Sequence, residues 1–179
     1  MNYLSQYELP FQSIKNGQES FELKIDDKFF DYFEQQLIKG GNLDVTLVIT
    51  RDSNDFLLNF SITGTVIIQC DICLDWYNHE LTISETINAK FGASTEFDTL
   101  EDYIILGKDD NQINISLLLN ELIVLSLPMK HEHPRDANGK RTCNKNMLKI
   151  LEGLKLKGEQ IDPRWEVLNE LKNKENGTS

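Results

Sequence analysis

The stretch FLLNFSITGTVIIQCDIC, Phe56–Cys73, decides how this chain is read. Phe56, Leu58, Phe60, Ile62, Val66 and Ile68 all fall on even positions, and most of the residues between them are polar. In an extended chain, alternate side chains share one face, so this pattern predicts a long strand with its apolar face in a core. Gly64 interrupts the run, which predicts a bulge there. The strand runs directly into Cys70-Asp71-Ile72-Cys73.

Further strands flank this one. Val45, Leu47 and Ile49 alternate within Leu43–Arg51, and Asp52-Ser53-Asn54-Asp55 has the composition of a turn. Phe21, Leu23 and Ile25 predict a shorter strand. Leu81, Ile83, Ile87, Ala89 and Phe91 predict another, and Tyr103–Leu106 a last one. Between these segments, Phe29, Phe33 and Leu37 recur every four residues, which predicts a helix over about Lys28–Lys39. Asp26 or Asp27 would cap it and Gly40-Gly41 would end it. Successive antiparallel strands with flanking helices predict an α+β fold, its sheet curled or forming a partial β-barrel.

The second half is expected to be helical. Ile115, Leu118, Leu119, Leu122, Ile123 and Leu125 cover one wide face of Ile115–Leu127, with Asn114 or Ser116 as cap and Pro128 as stop. His131–Asn144, with Pro134, Asp136, Asn138 and Gly139, reads as a loop, and Met147–Leu156 as a helix. Asp162-Pro163 is a helix-start signal, and Trp165, Leu168 and Leu171 continue it. Residues 1–171 are expected to form one domain, with 172–179 as a flexible tail.

Composition narrows the function classes. Hydrophobic residues at 40% and charged residues at 26% are a globular balance, so disorder is not the expectation. The first residues lack a basic stretch followed by an apolar one, and Ile113–Leu127 is too short and interrupted to span a bilayer. The expected location is therefore cytoplasmic, with no membrane segment. Three cysteines make a poor disulfide framework. The net charge of −11 argues against a protein that simply coats a nucleic-acid duplex. Charge is unevenly spread, however. Pro128–Lys157 holds eight basic and three acidic residues, a net of +5, which leaves −16 on the remainder. Such a basic segment on an acidic body marks either a nucleic-acid-facing surface or a solvated loop.

Cys70 and Cys73 are spaced so that both thiolates can reach one tetrahedral ion. Two further ligands must come from His79, His131, His133 or Cys143. The favoured set is Cys70, Cys73, His133 and Cys143, holding structural zinc. Two alternatives stand beside it: a redox dithiol or sensor using Cys70 and Cys73, and two unligated thiols at a strand end. Against the redox alternative, Asp71 opposes thiolate formation and no helical period follows Cys73. No Gly-rich phosphate loop, Gly-x-Ser-x-Gly elbow or His-Glu-x-x-His motif occurs, so no enzyme activity is expected.

Val66–Leu74 resembles the Cys-x-x-Cys-Leu core of the YceD family, the large ribosomal RNA subunit accumulation proteins. Ile113–Ile115 and Glu121–Pro128 resemble that family's helix ending in Leu-Pro. His133 and Cys143 follow in family order, and Asp162-Pro163-Arg164-Trp165 resembles the C-terminal Asp-Pro-Arg segment. The similarity covers about Leu43–Leu171. It implies a non-enzymatic role linked to 23S ribosomal RNA and large-subunit biogenesis in bacteria, and it supports pairing the two halves of the metal site. Members with more cysteines in the second half differ from this chain, where Cys143 stands alone and a complete site requires a histidine. Ribosomal RNA or a large-subunit protein is the expected partner, with Lys140, Arg141 and Lys145 as the contacts.

Overall fold

The computed structural model describes residues 3–33, 37–97 and 103–157. In chain order the regular elements are β1 (Glu8–Leu9), β2 (Gly17–Ile25), α1 (Asp27–Asp31), β3 (Ile38–Asp52), β4 (Asp55–Gln69), β5 (Trp76–Gly92), β6 (Tyr103–Gly107), β7 (Ile113–Asn114), α2 (Ser116–Ser126) and α3 (Lys145–Lys157). The described residues group into two compact units. One draws its described residues from the stretches Met1–Cys70 and Trp76–His131, the other from Asp71–Asp75 and from Glu132 onward.

The first unit is α+β, built on a five-stranded sheet of order β2-β3-β4-β5-β6. The period-two pattern sets its two faces. Leu43, Val45, Leu47 and Ile49 of β3 are buried with Phe56, Leu58, Phe60, Ile62, Val66 and Ile68 of β4. Thr46, Ser61, Thr63, Thr82 and Ser84 point the other way and are exposed. Shifting the register by one residue would expose the whole apolar set, so the pairing is strongly specified. The sheet is mixed rather than wholly antiparallel, because β6 runs parallel to β5, from Asn88↔Tyr103 to Gly92↔Gly107. A parallel neighbour normally needs a long crossover. Here β6 pairs only with the last five residues of β5, so the connection returns roughly 16 Å, well within the reach of the ten residues 93–102. β2 and β6 remain the two edges, and among the described residues no pairing closes the sheet into a barrel.

The helix expected over Lys28–Lys39 is much shorter. Asp26 caps it, its carboxylate accepting from the Lys28 N–H at 3.0 Å, but α1 ends at Asp31, and Ile38 and Lys39 belong to β3. The Gly40-Gly41 pair does not terminate a helix. Gly41 N–H donates to the Asp27 carboxylate at 2.8 Å, and the β3–β4 register shifts between Ile38 and Gly40. Ile38 gains a ladder partner in Ile68, and pairing within the sheet outweighs the local helical period. The irregularity expected at Gly64 lies here instead. Gly64 sits in continuous register with Leu43, at φ +146°, where a Cβ would collide with the Asn42 carbonyl oxygen and meet Leu43 Cα at 3.0 Å.

α2 matches the expected span to within a residue. Ile115, Leu118, Leu119 and Ile123 are buried, but Leu125 is 82% exposed, so the apolar face is narrower than its composition implies. The N-cap position is taken by Ile115, whose apolar side chain cannot cap, rather than by Asn114 or Ser116. Asn114, one residue earlier, accepts from Ser116 N–H at 2.9 Å through its side-chain oxygen. The amino-terminal segment, without a sequence period, contributes buried Tyr7, Leu9, Phe11 and Ile14. It is tied in by the short β1–β7 pairing and by the Tyr7 carbonyl, which accepts from Ile115 N–H at 3.0 Å. No described helix is long and apolar enough to cross a membrane. The start signal at Asp162-Pro163, the face through Leu171 and the 172–179 tail lie outside the described residues.

Candidate metal centre

The Cys-x-x-Cys motif occupies a hairpin loop. β4 ends at Gln69 and β5 begins at Trp76, and these two residues pair directly, so Cys70–Asp75 is the whole connection. Leu74 adopts φ +62°, a left-handed conformation that costs a non-glycine residue about 1 kcal/mol. The turn reverses the chain immediately after the second thiol. Cys70 and Cys73 are both buried, at 0% and 2% exposure. No helix begins at Cys70, so the helix N-terminus that usually activates a redox dithiol is missing.

The second half of the group is more ordered than a loop. Arg135 and Arg141 form an antiparallel bridge. Inside it, Asp136 N–H donates to the Lys140 carbonyl at 2.9 Å, and Gly139 N–H to the Asp136 carbonyl at 2.9 Å. The Asp136 carboxylate accepts from the N–H groups of Asn138 and Lys140, and Gly139 takes φ +76°. Outside the bridge, the Thr142 hydroxyl donates to the Pro134 carbonyl at 2.6 Å. His133 and Cys143 each lie two residues beyond the bridge, so the same antiparallel register sets them opposite each other. A miniature hairpin thus presents an imidazole and a thiol side by side, ten residues apart in sequence.

α3 starts directly after Cys143. The side-chain oxygen of Asn144 accepts from Asn146 N–H at 3.0 Å and Met147 N–H at 3.4 Å, the pattern of an N-cap. The amide nitrogen of Asn144 also donates to the Asp75 carboxylate at 3.2 Å, tying the end of the first loop to the start of the helix. α3 thus begins two residues after Cys143. Sequence reasoning missed the roles of Asn144 and Leu74. Their positions, one residue beyond each half-site, were the available signal.

One donor atom each from Cys70, Cys73, His133 and Cys143 lies within 4.8 Å of all the others. Cys73 Sγ and His133 Nδ1 are 3.5 Å apart. Three of these residues belong to the second unit, and Cys70 is bonded to its first residue, Asp71. A tetrahedral zinc ion with Zn–S bonds of about 2.3 Å places its donors roughly 3.8 Å apart, which this spacing accommodates with little movement. Three thiols and an imidazole are soft donors of the kind that hold zinc in closed structural sites. Of the other histidines, His79 lies within β5 opposite Val66, and neither His79 nor His131 joins the group.

The basic residues singled out in the sequence lie on the same short segment. Lys140 and Lys145 are exposed, and Arg141 is 3.8 Å from the Glu132 carboxylate. No curated protein and no solved structure matches the chain. The family model described as "Large ribosomal RNA subunit accumulation protein YceD" matches residues 58–172. That match covers more than half of the chain and contains all four donors, and the chain therefore belongs to the YceD family.

Proposed function

We propose that this protein is a non-enzymatic, cytoplasmic accessory factor for accumulation of 23S ribosomal RNA and assembly of the large ribosomal subunit. In this role Cys70, Cys73, His133 and Cys143 hold one structural zinc ion. The observation that carries the proposal is the closed donor set, three thiols and one imidazole within 4.8 Å. The family description supplies the ribosomal link. Bound zinc would supply a cross-link between the Cys70–Cys73 turn and the His133–Cys143 hairpin. With four protein ligands no coordination position stays open for a substrate, which separates a fastener from a catalyst.

The fastened hairpin and α3 carry most of the basic segment, with Lys140, Arg141 and Lys145 as contacts to ribosomal RNA or to a large-subunit protein. The test is charge reversal at all three positions, followed by co-sedimentation with pre-ribosomal particles. Association is expected to fall while zinc content stays at one per chain. Unchanged association would exclude this surface.

A further inference from the structure

We propose that the free edge of β2 is a docking site for an extended, lysine- or arginine-rich peptide segment, which adds to the sheet as a sixth strand. The surface is distinct from the cysteine/histidine group and from the basic segment.

The direction of the edge groups follows from the turn between β3 and β4. Asp52 and Asp55 flank the two-residue turn and pair with each other, and residues in that position form a hydrogen-bonded pair. Even-numbered residues of β3 therefore direct their backbone groups toward β4, and odd-numbered ones toward β2. The partners of those odd residues are Gly17, Glu19, Phe21, Leu23 and Ile25. This leaves the N–H and C=O groups of Gln18, Ser20, Glu22 and Lys24 turned outward. One contact corroborates the assignment: the Tyr7 hydroxyl donates to the Lys24 carbonyl at 2.8 Å. Tyr7 thereby closes the edge at Lys24. Among the described residues no strand pairs with the outward side of Gln18–Glu22, which is the open tract.

Natural sheets defend such edges with proline, bulges, short strands or an added lysine. β2 is nine residues long and has no proline, and its register with β3 is unbroken. Its one lysine, Lys24, sits at the closed end, 3.5 Å from Asp44. Chemistry at the open tract selects the occupant. Glu19 and Glu22 are exposed, while Phe21 and Leu23, on the core side of the sheet, are half-buried. An incoming strand meets apolar demand opposite Phe21 and Leu23 and acidic demand opposite Glu19 and Glu22. The chain outside Pro128–Lys157 carries −16, which favours a basic strand and disfavours a second acidic copy. Main-chain pairing supplies affinity in such additions, and the alternate side chains supply selectivity.

The test uses the full chain and a capped decapeptide in which two valines, one residue apart, stand opposite Phe21 and Leu23 and lysines fill the other positions, followed by amide NMR. Saturable binding is expected, with slowed exchange at the amides of Gln18, Ser20 and Glu22. Ser20→Pro removes an outward N–H without touching the β3 ladder and should weaken binding about tenfold. The double variant Glu19→Gln/Glu22→Gln should weaken it comparably without any backbone change. The same peptide with glutamate in place of lysine should not bind. The proposal fails if binding is absent, if both variants bind as well as the parent, or if the chain alone dimerises through β2.

Discussion

Cys73 Sγ lies 3.5 Å from Nδ1 of His133, a residue sixty positions further along the chain. Nδ1 is the ring atom turned to the thiol, so the hairpin presents this histidine through one defined nitrogen. His133→Ala should lower zinc affinity by at least about 100-fold, since even the loss of an outer partner of a ligand costs 10–100-fold. His131→Ala and His79→Ala should leave it unchanged. Competition with a chromophoric chelator, read beside elemental analysis, distinguishes the three variants.

Chelation should act locally. Metal binding and folding share free energy in sites of this kind. Stripping zinc should release the amides of the Arg135–Arg141 hairpin and the first turn of α3, while the central ladder of β3, β4 and β5 keeps its protection. Hydrogen exchange with and without chelator reports both regions in one measurement. Simultaneous loss of protection in the central strands would mean that the sheet depends on the metal too.

Two glycines should respond differently to the same substitution. Gly64→Ala puts a methyl group into the Asn42 and Leu43 backbone at φ +146°, and should cost about 3 kcal/mol in denaturant unfolding. Gly139 also has positive φ, but open space surrounds its missing Cβ. Gly139→Ala should cost only about 1 kcal/mol.

Burial raises the Tyr7 hydroxyl well above its ordinary pKa of 10.0, and proximity to Tyr3 adds to the effect. The folded state keeps this proton while the unfolded chain releases it. The contribution is therefore fully present below pH 10 and declines as pH rises beyond it. Tyr7→Phe should remove that part of the alkaline decline and cost about 1 kcal/mol at neutral pH, from loss of the hydrogen bond to Lys24. Thermal or urea unfolding between pH 7 and 11 measures both effects.

The long strands were legible because a period of two needs no tertiary information. A side chain that alternates with polar neighbours has one face to bury, and β3, β4 and β5 follow that pattern closely. The Lys28–Lys39 helix failed for a reason the sequence does not carry. Phe29, Phe33 and Leu37 satisfy a helical period, but Ile38 found a ladder partner in Ile68, and α1 stopped at Asp31. The parallel placement of β6 was equally hidden, since alternation does not record strand direction.

For the candidate metal centre, the sequence by itself determined the donor types and the first half-site, because a Cys-x-x-Cys spacing is local chemistry. It left three histidines open on spacing, and the family resemblance supported the choice of His133. Only the tertiary structure decided that the four donors converge. The Arg135–Arg141 bridge sets His133 opposite Cys143, and the Asn144–Asp75 hydrogen bond ties their hairpin to the turn bearing Cys73. Convergence across sixty residues is a property of strand register and backbone pairing, which no short-range pattern of side chains encodes.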